Sequence, residues 1–323
     1  MSAASTSTDI EYRIKGGLWA SAWKIALGVG LLGMAGVGAG FAQDGRRAAF
    51  SYLFAFAVFL TMALGSLFFV LIQHLTNAWW SVTVRRTAEF LMSALPVFAL
   101  LFLPVAAGVD HLYPWAQHHG AAHSAEHSPA AHGEHGDHAA PAAPAAHGDH
   151  AAPAAHGDHG TPAAPTGRAL TADEIDHHNH GELLGKKSAY LNKARFFGMA
   201  LLYFLIWTFL SQRFFKNSIA QDTSKDISFT QKNQAAAPGA AALFALSLTF
   251  AVFDWYMSLL PQWYSTIFGV QLFSASVVAA LAAIVMITLS FRNSGLTGNA
   301  INTEHFHDLG KLLFGFTAFW AYI

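Results

Sequence analysis

The chain contains no cysteine. That excludes disulfides, thiolate-held iron–sulfur clusters and covalently attached c-type haem from this polypeptide. Charge is scarce as well. Asp, Glu, Lys and Arg make up 11% of the 323 residues, against about 25% in an ordinary soluble domain. No basic patch with interleaved aromatics appears, so nucleic acid is not expected as a partner. Histidine is scarce where a membrane haem would need it. Such a haem typically takes two axial histidines, and only His74 lies within a membrane-length apolar run.

What the chain has in quantity is apolar sequence, 54% of its residues, with Phe contributing 27. A helix needs about 20 apolar residues to cross a bilayer. Runs of that kind, free of charge except for one acid in the fifth, cover Ile25 to Gln43, Ala48 to Leu75, Phe90 to Val109, Phe196 to Gln212, Ala236 to Leu260 and Ser265 to Phe291. The third is expected to be kinked by Pro96 and Pro104, and a tight turn at Pro261 should join the last two. A further run begins after Lys311 and is still apolar at Ile323, which reads as a truncated seventh helix. The fold class is therefore all-α integral membrane, a polytopic helical bundle of six full spans plus that seventh. The first run resembles a secretory signal near Gly40-Phe41-Ala42, but its length and Lys24 argue for an uncleaved anchor.

Orientation follows from Lys and Arg in short loops. With the N-terminus cytoplasmic, the inner loops hold Arg13, Lys15, Arg85, Arg86, Arg213, Lys216, Lys225, Lys232 and Arg292, and the outer ones only Arg46 and Arg47. Three regions result: residues 1–110 with three spans, an outer connection over 111–193, and residues 194–323 with the remaining helices. The connection is rich in His, Ala and Pro, and it is too poor in bulky apolar residues to build a core. Disorder is the expectation there. It carries His-Gly-Asp-His three times, pairing His135 with His138, His147 with His150, and His156 with His159. Such pairs suit weak Zn²⁺ or Cu²⁺ binding, but no fixed geometry is implied, which favours a solvated low-complexity insertion that only buffers protons.

Three clusters carry candidate chemistry. His74 follows Phe68-Phe69-Val70-Leu71-Ile72-Gln73 and precedes the interfacial pair Trp79-Trp80. It reads either as a proton carrier or quinone partner, or as a boundary histidine bonded to water or a backbone carbonyl. Asp254 is the sole charge between Lys232 and Arg292. An acid in such a span is usually paired, protonated or part of an ion path. The plain alternative is a structural acid bonded to Ser258 or to a neighbouring helix. Glu304, His307, Asp308 and Lys311 share one helical face, as a proton-loading mouth or an ordinary salt-bridged helix start. Arg85, Arg86 and Glu89 have the spacing of helical ion pairs. His74 and Asp254 are expected at opposite ends of the bilayer, as the two mouths of a path.

In order along the chain stand Gln73-His74-Leu75-Thr76 with Trp80-Ser81-Val82 and Arg85-Arg86, then Phe253-Asp254-Trp255 with Met257-Ser258-Leu259. Next come Trp263-Tyr264-Ser265-Thr266-Ile267-Phe268-Gly269 and His305-Phe306-His307-Asp308-Leu309-Gly310-Lys311. Together these segments resemble an NrfD-like membrane component of bacterial alternative complex III, a quinol:cytochrome c oxidoreductase. Such components are relatives of the polysulfide-reductase-type membrane anchors. The resemblance implies ten helices built around two four-helix bundles, in a bacterial inner membrane. It also implies a sister membrane subunit, and partner subunits that hold the haem c and the iron–sulfur centres. Quinone or menaquinone is the implied small molecule, with a role for this chain in a quinone pocket, a proton path or both. Where the family pattern places an acid and a histidine around the proline before Trp263, this chain has Leu260 and Gln262. The rival readings are a secondary transporter for a metal ion or small solute, and a purely structural anchor.

Overall fold

The structure is a computed structural model that describes residues 18–117, 183–295 and 300–323. Every regular element among them is helical, and six helices are long and apolar enough to span a membrane. In chain order the main helices are α1 (Leu18–Gln43), α2 (Gly45–Leu75), the segments α3 (Val82–Ser93), α4 (Leu95–Leu101), α5 (Leu103–Ala107) and α6 (Val109–Leu112), then α7 (Lys193–Ser224), α8 (Ser228–Trp255), α9 (Phe268–Asn293) and α10 (Thr303–Tyr322), of which α10 is not among the six. A helix closes all its backbone hydrogen bonds within one segment, which is why a chain this apolar is built from them. The fold is an all-α polytopic membrane protein.

Local chemistry sets the breaks. Asp44 turns the chain between α1 and α2, and its carboxylate caps α2 by accepting from the Arg47 backbone N–H at 3.0 Å. The third span is segmented as its prolines require. Pro96 and Pro104 each sit in the first turn of a new segment, where a missing N–H costs no helical bond. Helix α8 starts eight residues before the expected Ala236 and carries Pro238 in its interior. It also ends earlier than its apolar run. The helix stops at Trp255, a 3₁₀ turn covers Met257–Leu259, and α9 begins at Phe268. The connection at Pro261 is therefore longer than a tight turn. The helix at the end of the chain begins well before Lys311, at Thr303, with Asn302 and His305 forming a reciprocal cap.

Helix α2 is the hub and packs against α1, α3, α8 and α9. Its contact with α9 is closest at Gly65, where an added Cβ would overlap the backbone carbonyl of Ser276. Helix α7 lies on α8 and on the segmented span, and α10 on α9. Helix α1 touches the bundle through α2 and leaves its most apolar stretch unburied. Around Trp255 the core is aromatic, with the rings of Phe102, Phe204, Trp207 and Tyr203 centred 4.9, 5.4, 5.7 and 5.9 Å away.

The long outer connection is not uniform. Its two described ends join the core, with Tyr113 and Trp115 buried on one side and Leu184 and Leu191 on the other. The expectation of disorder otherwise falls on residues 118–182, which lie outside the described residues.

Candidate functional site

Polar groups gather at both ends of the bundle, Asp254 at one and His74 at the other. Asp254 lies in the last turn of α8 and is 2% exposed. It is not a lone acid. Its Oδ1 accepts from the Tyr190 hydroxyl at 2.8 Å and from Arg195 Nη1 at 2.9 Å, and its Oδ2 accepts from the Tyr203 hydroxyl at 2.5 Å. The Arg195 guanidinium also stacks on the Tyr190 ring, 3.5 Å from its centroid. Ser258 is not the carboxylate's partner, because its hydroxyl donates to the Asp254 backbone carbonyl instead. Burial, then the hydrogen bond to Asp254, pushes the Tyr190 phenol up to about 12. Nearby, burial holds the Tyr113 phenol well above its ordinary range, and that hydroxyl donates to the Trp255 carbonyl at 2.9 Å.

An isolated charge in a low-dielectric site is costly, and a charged, hydrogen-bonded partner offsets much of that cost. The sequence signals Arg195 merely as a flank of its span. Tyr190 and Tyr203 carried no signal as partners, since each sits on a different segment from Asp254 in chain order. The one available hint was chemical, that a buried acid requires a cation near the same membrane boundary.

At the other end, His74 is 3% exposed and its ring packs against Phe214, 5.5 Å between centroids. Neither Nδ1 nor Nε2 has a hydrogen-bond partner, and the same holds for Oε1 of Gln73. Such a buried, unpaired polar atom typically costs about 1–3 kcal/mol, so it marks a place where a partner is expected. Both side chains border a cavity of about 110 Å³ that Asn77, Arg85, Gln221 and Thr230 also line.

The arginines and Glu89 come together beside this cavity, as their spacing implies. Glu89, 1% exposed, meets Arg85 Nε at 3.3 Å and Arg86 Nη1 at 2.9 Å, and accepts from the Ser218 hydroxyl at 2.7 Å. Arg86 reaches on to Asp222 of α7 at 2.6 Å, a partner unseen in the sequence. The Arg85 contact is an ion pair without hydrogen-bond alignment, which leaves its Nε unmatched.

Glu304, His307, Asp308 and Lys311 stand on the first turns of α10, with Lys311 and Asp308 paired at 3.1 Å. Glu304, His307 and Lys311 are exposed on the surface of α10, and none of the four lines the His74 cavity. Between the two ends the α7–α8 interface carries Trp207 Nε1 donating to the Ser247 hydroxyl at 2.9 Å and Asn217 donating to Asn233 at 2.7 Å.

Among the described residues no group of three or more His, Asp or Glu has the arrangement of a metal site. The weak metal candidates of the outer connection, His135 and His138, His147 and His150, and His156 and His159, lie outside the described residues. A scan against protein-family models and a search of curated proteins each find no match for this chain.

Proposed function

We propose that the chain is a membrane subunit, without redox cofactors of its own, of a quinol-oxidising respiratory complex, and that it handles protons at the His74 end. The observation that carries this reading is a buried imidazole with both nitrogens unpaired, facing a polar cavity beside the Arg85–Arg86–Glu89 cluster. A neutral imidazole offers one donor and one acceptor, so it passes a proton on without needing a second titratable group. The lack of cysteine supports placing haem c and iron–sulfur centres in partner subunits. The ordered motifs that resemble the NrfD-like component of alternative complex III support the kind of complex, a sister membrane subunit and a bacterial inner membrane. The Lys and Arg bias supports a cytoplasmic N-terminus.

The Asp254 cluster favours a second role for the opposite end. Three donors already engage the carboxylate. That saturation fits an anchor that pins α7 and the 183–192 segment onto α8, with the exposed Tyr190 as the group in reach of an outer mouth.

The test is purification of the tagged chain from its own membranes, followed by assay of quinol turnover and proton movement. Co-purification with haem c and iron–sulfur subunits is expected, with proton movement lost in His74→Phe and thermal stability retained. Isolation of the chain alone, with metal-dependent uptake into vesicles, would establish the transporter instead. Unchanged turnover and proton movement in both His74→Phe and Asp254→Asn would reduce the chain to a structural anchor.

A further inference from the structure

Gln73 borders two cavities, the first with more polar side chains in its lining than the second. The first is the polar one it shares with His74, of about 110 Å³. A buried water needs roughly 10–15 Å³ of such space, so this cavity has room for several waters. The second, of about 330 Å³, lies between α2, α9 and α10 and is lined by Phe68, Phe69, Trp80, Leu281, Leu312 and Phe316 among others. That volume falls within the range of small-molecule pockets, about 300–1,000 Å³. Its polar side-chain groups are those of Gln73 and Thr76 and the Trp80 indole N–H, and the Thr76 hydroxyl already donates to the Ile72 carbonyl at 2.8 Å.

The Gln73 amide is thus the main polar acceptor of an otherwise apolar chamber. The side chain is 5% exposed and its Oε1 has no donor. Its backbone carbonyl is occupied, accepting from the Ala78 N–H at 3.0 Å, which fixes the residue at the end of α2. An unpaired acceptor beside an apolar space lined by Phe68, Phe69, Trp80 and Phe316 suits a ligand that brings a hydroxyl on an apolar ring. A plain acyl chain would leave the amide unsatisfied.

We infer that this chamber binds a hydroquinone or similar phenolic ring, whose hydroxyl donates to Gln73 Oε1. This rests on the proposed quinol-linked function and names the place and redox form of the ligand. Gln73 here positions the ring, and no electron transfer within this chain is implied.

The test is titration of the full chain, in phosphatidylcholine nanodiscs, with a decyl-substituted benzohydroquinone while tryptophan fluorescence is followed. Trp80 lines the chamber, so saturable quenching is expected. Gln73→Leu should weaken binding about tenfold, the effect of one neutral hydrogen bond. Val277→Phe, which narrows the chamber, should weaken it further, and folding of both variants is checked by thermal melting. The dimethyl ether of the same ring lacks the donor and should bind wild type no better than the hydroquinone binds Gln73→Leu. Absence of saturable quenching, equal binding of the ether, or unchanged affinity in Gln73→Leu would each overturn the inference. Saturable binding by a chain that fails to co-purify with haem c and iron–sulfur subunits would sink the complex assignment and leave the site standing. Co-purification without binding would do the reverse.

Discussion

Tyr203 and Asp254 face each other across the α7–α8 interface with the phenol hydroxyl 2.5 Å from the carboxylate. The two residues are 51 apart in sequence, and Arg195 and Tyr190 reach the same carboxylate from 59 and 64 residues away. Four side chains from three segments therefore meet at one buried charge, and the cluster's energetics can be tested piece by piece.

Removing one member of a buried ion pair strands the other, at a cost of about 3–5 kcal/mol. Arg195 is partly exposed, with a quarter of its side chain open, so the lower part of that range applies. Arg195→Met and Asp254→Leu are each expected to lower the melting temperature of the detergent-solubilised chain. The double variant should be less destabilised than the sum of the two, because neither charge is then left alone. Strict additivity in that cycle would remove the pair as a stabilising unit.

The Tyr190 phenol is held up to about 12, above its ordinary 10.0. In the unfolded chain it loses its proton at lower pH than in the fold. Between those values the folded state binds the extra proton, so its contribution is present below pH 10 and lost as pH rises toward 12. Melting curves from pH 9 upward should show this alkaline decline, and Tyr190→Phe should flatten part of it. Identical pH profiles for the two proteins would contradict the assignment.

Gly65 is required by the α2–α9 crossing. A Cβ there meets backbone, which cannot rotate away as a side chain can. Gly65→Ala is expected to cost about 1–3 kcal/mol, the usual effect of overpacking, and Gly65→Leu to prevent accumulation of folded protein. Gly33→Ala, at a position with no atom within 4 Å of the added carbon, serves as the neutral comparison. Equal melting temperatures for Gly65→Ala and Gly33→Ala would mean the helices separate freely.

Glu304 and His307 are exposed on α10, where substitutions typically change stability by less than about 0.5 kcal/mol. Glu304→Gln and His307→Gln should leave melting unaltered. If they also leave proton movement unaltered in the purified complex, this helix start plays no part in proton loading.

Spans, hinges and the two polar ends were legible in the residues themselves. Runs such as Ala48 to Leu75 leave a helix as the one way to satisfy the backbone in lipid. Pro96 and Pro104 mark the breaks because each lacks an N–H. Arg85, Arg86 and Glu89 pair at short range, one helical turn apart, so spacing alone suffices. Apolar runs were poorer guides to helix ends. Ser228, the start of α8, lies in polar sequence, and the helix stops at Trp255 although Met257–Leu259 continue the apolar run.

What amino-acid order alone determined is therefore the membrane class, the number of long helices and the separation of His74 from Asp254. Tertiary structure decided that Asp254 is held by Arg195, Tyr190 and Tyr203, that Arg86 bridges to Asp222, and that Gln73 and His74 are left without partners. The reason is rotational. A helix's existence depends on its own residues, whereas the direction in which each polar side chain points depends on how neighbouring helices turn and pack against it.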